Sequence, residues 1–149
     1  MMRIYLDNCC FNRPFDDQKQ IRIKLEAEAK LYIQEKIRRK ELELAWSYIL
    51  DHENQANAFE ERKRTIQQWQ HLAAIDVSET PEIIERAEHL KQRTINSKDA
   101  LHVACAIWAH CDVFVTTDDR ILKKFQDFDE LEVVSPLTFM TSLEDNDDN

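Results

Sequence analysis

The stretch INSKDALHVACAIWAHCDVFVTTDD, residues 95–119, passes from helical to extended periodicity within one segment, and its reading decides the fold. Leu101, Ala104, Cys105 and Trp108 recur at helical intervals and mark one apolar face. Asp99 falls in the first turn of that helix, where exposed backbone N–H groups favour a carboxylate. Residues 113–116 form a short apolar run of the kind that a parallel sheet buries on both sides. Asp118 and Asp119 stand just beyond it, and a short helix is expected over 117–125.

The same alternation extends in both directions. Residues 3–6, 42–48 and 72–77 read as earlier strands and 131–134 as the last. A helix over 17–39 sets Ile21, Leu25, Ala29, Tyr32, Ile33 and Ile37 on its apolar face. Another over 51–71 carries Ala56, Phe59, Ile66 and Trp69, with Glu53 in its first turn. Thr80 and Pro81 look like an N-cap and first helical residue, followed by a stripe of Ile83, Ile84, Ala87 and Leu90. Residues 8–17, which include Pro14, read as a loop. Ser135 and Pro136 cap a brief last helix, and the apolar-free EDNDDN at 144–149 is expected to fray. Trp46, Trp69 and Trp108 lie in apolar patterns and read as core anchors rather than base-stacking platforms. The expected fold is an α/β three-layer sandwich around a mainly parallel sheet, one domain over 1–143 with an acidic tail over 144–149.

With 149 residues and 43% hydrophobic content, the chain can bury roughly 68–70% of its unfolded surface in one core. A net charge of -9 argues against a general polyanion-binding surface. A local basic path remains open, because residues 17–40 hold eight basic against four acidic side chains, while no basic residue follows Lys124. The absence of glycine removes the phosphate loop and the dinucleotide fingerprint, both of which need glycine for close backbone approach. Cys9, Cys10, Cys105 and Cys111 form no CxxC pair and read as free thiols rather than a zinc cluster. No apolar run approaches the ~20 residues of a membrane span and no signal-peptide pattern opens the chain, so a cytoplasmic location is expected.

Asp7 follows the first strand as Asp118 follows the fourth, at the strand ends where an open parallel sheet places its ligand crevice. Glu53 and Asp99, in helices, join them if those helices begin beside the same crevice. Four carboxylates sharing one crevice repel one another, and a divalent cation relieves that repulsion. Mg2+ or Mn2+ suits such oxygen ligands and activates water for attack on a phosphodiester. The same residue types also cap helix N-termini and end solvated loops, and spacing alone leaves both readings open.

The segments YLDNCCFNRPF, WSYILDHE and INSKDALHVACAIWAHCDVFVTTDD, together with the chain length, resemble the PIN-domain family, which includes the toxin ribonucleases of bacterial toxin–antitoxin pairs. That resemblance implies a five-stranded parallel sheet with helices on both sides and a metal-dependent nuclease. It places the four acidic positions on Asp7, on Glu53 six residues after Ser47, on Asp99 before Ala-Leu-His, and on Asp118. Asp7, Asp99 and Asp118 would then form the metal core, with Glu53 as ligand or water-positioning group. Asn8 replaces the hydroxyl residue common after the first acid, and Thr116 occupies a hydroxyl position near the fourth. Both are substrate or water contacts by this resemblance, and Arg13, on the loop expected after the first strand, is a separate candidate for a substrate phosphate. Asp119 is an accessory carboxylate or a helix-start residue, and His102, three positions after Asp99, a packing or hydrogen-bonding group more than a metal ligand.

The implied activity is Mg2+- or Mn2+-dependent endonucleolytic hydrolysis of single-stranded or loop RNA, leaving a 5′-phosphate and a 3′-hydroxyl. A homodimer and a cognate antitoxin are the implied partners. Two other readings stand beside it: a non-toxin PIN nuclease in RNA or DNA processing, and a catalytically weak interaction module on the same fold.

Overall fold

The computed structural model describes residues 1–147 and contains every expected strand: β1 (Arg3–Leu6), β2 (Glu43–Ser47), β3 (Ile75–Val77), β4 (Val113–Val115) and β5 (Glu132–Val134). They form one five-stranded sheet in the order β3-β2-β1-β4-β5, and every neighbouring pair is parallel. β1 is central, in register with β2 through Ile4 and Leu44 and with β4 through Tyr5 and Phe114. A central parallel strand is covered on both faces, and Ile4, Tyr5, Leu6, Phe114 and Val115 are accordingly fully buried. The Tyr5 and Phe114 rings stack at 5.3 Å, 7° from coplanar.

Helices flank the sheet in an α/β three-layer sandwich: α1 (Asn8–Asn12), α2 (Ile21–Arg38), α3 (Tyr48–Gln55), α4 (Glu60–Gln67), α5 (Pro81–Leu90), α6 (Ser97–Trp108), α7 (Asp119–Lys124) and α8 (Pro136–Asp147). Thr80, Asn96 and Asp118 cap α5, α6 and α7 through their side-chain oxygens. α5 packs on α6, and α8 on α2.

Several local expectations are corrected. Residues 8–15 are not a loop but α1 followed by a 3₁₀ turn, because Asp7 caps the backbone N–H of Asn8 and starts a helix at once. The helix expected over 51–71 begins earlier, at Tyr48, since Ser47 ends β2 in extended geometry and accepts from the Leu50 N–H. Glu53 therefore lies in the second turn. That helix is also interrupted, as Asn57 accepts from the Phe59 N–H in a local turn before α4.

The buried face of α2 is rotated from the apolar one: Ile21 is 77% exposed, while Glu26, Lys30 and Gln34 are buried. Glu26 is held by Arg13 at 3.1 Å and Arg22 at 3.5 Å, which offsets the cost of burying its charge. Trp108 and Ile84 are exposed rather than core residues. Residues 144–147 continue α8 instead of fraying, and 148–149 lie outside the described residues.

Without glycine, three helix ends put other residues into the left-handed region: Lys40 (φ 61), Thr94 (φ 65) and His110 (φ 56). After α2 the Glu41 N–H reaches the Lys36 carbonyl, and after α6 the Cys111 N–H reaches the Ala106 carbonyl. These bonds occupy carbonyls that the helix end leaves unpaired.

Candidate active site

The chain runs from β1 outward through β2 and β3, then returns to β4 on the other side of β1. The order thus reverses between β1 and β4, and the crevice beyond their carboxyl ends is where open parallel sheets bind ligands. Asp7, Thr116 and Asp118 are the polar residues delivered there. The Asp7 N–H donates to the Val115 carbonyl at 2.9 Å and so ties the two strand ends together. Its carboxylate is almost completely buried, accepting from the Asn8 N–H at 2.9 Å and from the Thr116 hydroxyl at 2.8 Å. Thr116 Oγ1 in turn accepts from the Asp118 N–H at 3.1 Å. Asp118 Oδ1 accepts from the Arg120 N–H at 2.9 Å, so this carboxylate both ends the turn and begins α7.

A second chain of contacts enters from the core. The Tyr5 hydroxyl lies 2.6 Å from both Ser47 Oγ and His102 Nδ1. The other imidazole nitrogen, Nε2, bonds Glu53 and lies 3.9 Å from Asp7 Oδ1. Glu53 on α3 and Asp7 after β1 are therefore joined through one imidazole on α6. His102 is raised above its ordinary pKa: burial works against its charge, but the Glu53 bond and the charges of Asp7, Glu53 and Asp99 outweigh it. Burial works against Glu53 as well, and the His102 bond and charge, with Lys98 and Asn8, hold its carboxyl below the usual range. The two directions agree on an ionised pair.

Asp99 has a different environment. Its N–H is bonded to Asn96 Oδ1 at 2.8 Å, and its half-buried carboxyl is pushed up to about 6. Burial contributes most, then the negative charges of Asp7 and Asp118, with His102 opposing and Glu53 adding. Asp7, Glu53 and Asp118 thus all act electrostatically on Asp99. The structure does not close the four into a cage: among the described residues no group of three or more His, Cys, Asp or Glu is arranged to hold a metal ion. The donor set is nonetheless all oxygen with an unneutralised negative charge, which fits a hard cation.

The other candidates separate. Asn8 lies on α1 beside Asp7, its side chain contributing to the lowering of Glu53. Arg13 is bound to Asp16 and Glu26, both at 3.1 Å, so its charge is balanced inside the protein. Asp119 receives two bonds from Arg22, at 2.7 and 2.8 Å, and that guanidinium holds its carboxyl below the usual range. In the sequence His102 reads as a packing or hydrogen-bonding group more than a metal ligand. Its link to Glu53 needed a signal from separate elements: a buried Tyr5 hydroxyl on the central strand requiring a partner, and a histidine on the buried face of α6.

An open parallel sheet with acids at its switch point defines a class of α/β proteins, and comparison narrows it. The family model described as "PIN domain" matches residues 4–128. The chain belongs to the PIN-domain family. Its fold aligns with the VapBC2 structure of Rickettsia felis, solved bound to a DNA fragment from its promoter (TM-score 0.56, 15% identity, 90% of this chain and 98% of that one). It aligns similarly with VapBC-1 of nontypeable Haemophilus influenzae (TM-score 0.54, 17% identity, 91% and 98%). At these identities the likeness is one of fold. Among curated proteins, none matches the chain. Among the described residues no helix is long and apolar enough to cross a membrane.

Proposed function

We propose that this PIN-domain chain is a divalent-metal-dependent endoribonuclease, acting as the toxin of a toxin–antitoxin pair. The observation that carries the reading is the delivery of Asp7 and Asp118 to the switch point between β1 and β4, with Asp99 near enough to be pushed up to about 6 by burial and by the charges of Asp7, Asp118 and Glu53. Such a concentration of negative charge at a sheet's switch point is costly unless a cation shares it. Asp7, Asp99 and Asp118 would hold Mg2+ or Mn2+, with Glu53 as ligand or water-positioning group. The cation would supply charge neutralisation at the phosphate and an activated water.

The residues around it have distinct work. The Asn8 N–H and the Thr116 hydroxyl fix both oxygens of Asp7, so its orientation is set before substrate arrives. Glu53, kept ionised by His102, can accept a hydrogen bond from the attacking water. The Asn8 amide, beside Asp7, would donate to a phosphate oxygen, while Thr116, whose one hydroxyl hydrogen goes to Asp7, would act by holding that carboxylate. Hydrolysis then gives the 5′-phosphate and 3′-hydroxyl that the family resemblance implies.

Single-stranded or looped RNA suits such a site because its backbone can bend into a crevice that a rigid duplex would bridge. The toxin role is supported by the fold likeness to the two VapBC structures, and a cognate antitoxin and a second copy of the chain would be the partners that the family resemblance implies.

Purified chain, incubated with labelled single-stranded RNA and Mn2+, should cleave it, and Asp7→Asn and Asp99→Asn should not. Equal cleavage by all three proteins sinks the assignment. The open spacing of the acids favours one second reading, a catalytically weak interaction module, which predicts no Mn2+-dependent cleavage by any of them.

A further inference from the structure

Lys30 projects from the buried face of α2 and is only 3% exposed, yet its ammonium has no hydrogen-bond or carboxylate partner among the described residues. It lies instead 5.2 Å from the centre of the Phe11 ring and 5.3 Å from that of Trp69. The Arg38 guanidinium sits 4.9 Å from the same Trp69 ring, and Glu35 approaches Arg38 only to 4.0 Å. Lys30, Arg38 and Trp69 line a hollow of about 290 Å³ between α2 and α4, together with Phe11, Phe15 and Leu31 and with Gln34. That volume is close to the lower end for small-ligand sites.

Cation–π contacts stabilise a buried ammonium but satisfy none of its three N–H donors. Burial lowers the Lys30 pKa to about 7, with Cys10 opposing and Arg38 reinforcing. Elsewhere on α2 a buried charge is matched, as Glu26 is by Arg13 and Arg22. Among the described residues Lys30 has no acid against it, and the acid nearest Arg38, Glu35, stands outside the hollow at 4.0 Å and is held by Arg39 at 3.2 Å, which leaves a place for an anion between the two cations. The walls decide its class. Phe11, Phe15, Leu31 and Trp69 suit an apolar body better than a fully hydrated phosphate. A nucleic-acid base is disfavoured as well, because Trp69 is only 4% exposed and its ring already carries both cations.

We propose that this hollow binds a carboxylate carried on an apolar stem, with Lys30 as its counter-ion, Arg38 and Gln34 as further donors, and the aromatic rings holding the stem. The stem carries one negative charge to the ammonium, and water leaves both the rings and the ligand. The carboxylate belongs either to a free small acid or to a glutamate on a polypeptide, and the chemistry at Lys30 is the same for both.

The test is a titration of the full chain with phenylacetate at fixed ionic strength, followed by the Trp69 indole resonance and by the thermal midpoint. Saturable binding is expected for the wild type. 2-Phenylethanol, which has the stem without the charge, should bind at least about tenfold more weakly, and so should phenylacetate to Lys30→Met. Methionine fills the same channel without a charge, so Lys30→Met should fold with an unchanged or higher midpoint. Arg38→Met, at a more exposed position, provides a second variant and should weaken binding by a smaller factor. Displacement of phenylacetate by an end-blocked peptide with one glutamate between leucines assigns the polypeptide source; failure of the peptide to compete assigns the free acid. No saturable response in the wild type, or equal affinity in wild type, Lys30→Met and Arg38→Met, overturns the proposal.

Discussion

Around Glu26, acids and bases are matched: Glu26 meets Arg13 and Arg22, Asp16 meets Arg13, and Asp119 meets Arg22. At the carboxyl ends of β1 and β4 they are not. There Asp7 and Glu53 share a single imidazole, Asp118 has only an exposed guanidinium 3.7 Å away, and Asp99 is pushed up by burial and then by its acidic neighbours. Both regions gather several carboxylates, so acid content does not separate them. The available counter-charge does. One set of acids is neutralised within the protein, and the other is left for the proposed cation to neutralise.

The comparison breaks first on activity. Asp7→Asn keeps the shape of the side chain and removes its charge, and RNA cleavage with Mn2+ should fall about 10²–10³-fold, as expected for losing several kcal/mol of transition-state charge stabilisation. Glu26→Gln should do the reverse, leaving the cleavage rate of folded protein unchanged while lowering stability by about 2 kcal/mol in urea unfolding. The 3–5 kcal/mol of a fully buried pair is not reached, because water relieves the half-exposed Arg22. If Glu26→Gln lost activity without losing stability, the two regions would not be distinct.

His102→Phe sharpens the boundary between them. It removes the one cation that Glu53 and Asp7 share, and burial then acts on Glu53 unopposed by that charge. The Glu53 carboxyl should move up from its depressed value in an NMR titration, with stability lower by about 1–3 kcal/mol from the lost hydrogen bonds. An unmoved Glu53 would mean that Lys98 and Asn8, rather than His102, hold it ionised.

These effects depend on contacts of unequal legibility in sequence. The strands were readable because short apolar runs at 3–6 and 113–116 have no amphipathic alternative, and the caps at Thr80 and Asp118 follow from local hydrogen bonding. Strand order was not readable from any run, so the meeting of Asp7 with Asp118 rested on the family resemblance. α1 was obscured by Pro14 and polar neighbours, although Asp7 was itself the cap that starts it. The rotation of α2 was hidden for a physical reason. Ile21 and Leu25 look like core, and only the tertiary pairing of Glu26 with Arg13 explains why a glutamate is buried instead.

Asp99→Asn gives a smaller effect of opposite sign on the two properties. Asp99 lies at about 6 in the folded protein against an ordinary value of 3.8, so the folded state holds its proton more tightly. Its contribution to stability is therefore full below about pH 4 and lost as pH rises through 6. At pH 7 without metal, removing the charge should raise stability by about 1 kcal/mol, after discounting for the half-exposed position. That corresponds to a midpoint about 2–4 °C higher. Below pH 4 the difference should vanish, and saturating Mn2+ should reverse it by stabilising the wild type alone. A variant less stable than wild type in metal-free buffer at pH 7 would remove the case that this acid is strained by its neighbours.

The smallest effect is expected one residue past the fourth acid. Asp118 and Asp119 are adjacent in sequence, yet Asp119 is turned toward Arg22 and both its oxygens are occupied. Its depressed pKa comes first from that hydrogen bond, the opposite of the upward push on Asp99. An acid already neutralised by a guanidinium is a poor cation ligand, because recruiting it would break two charge-assisted bonds. Asp119→Asn should therefore leave Mn2+-dependent cleavage within about twofold of wild type, as surface ion pairs contribute little. Asp118→Asn, one position earlier, should follow Asp7→Asn. If the two neighbours lose activity equally, Arg22 gives way to the cation in the working enzyme, and the line between the matched and unmatched acids lies beyond Asp119 rather than before it.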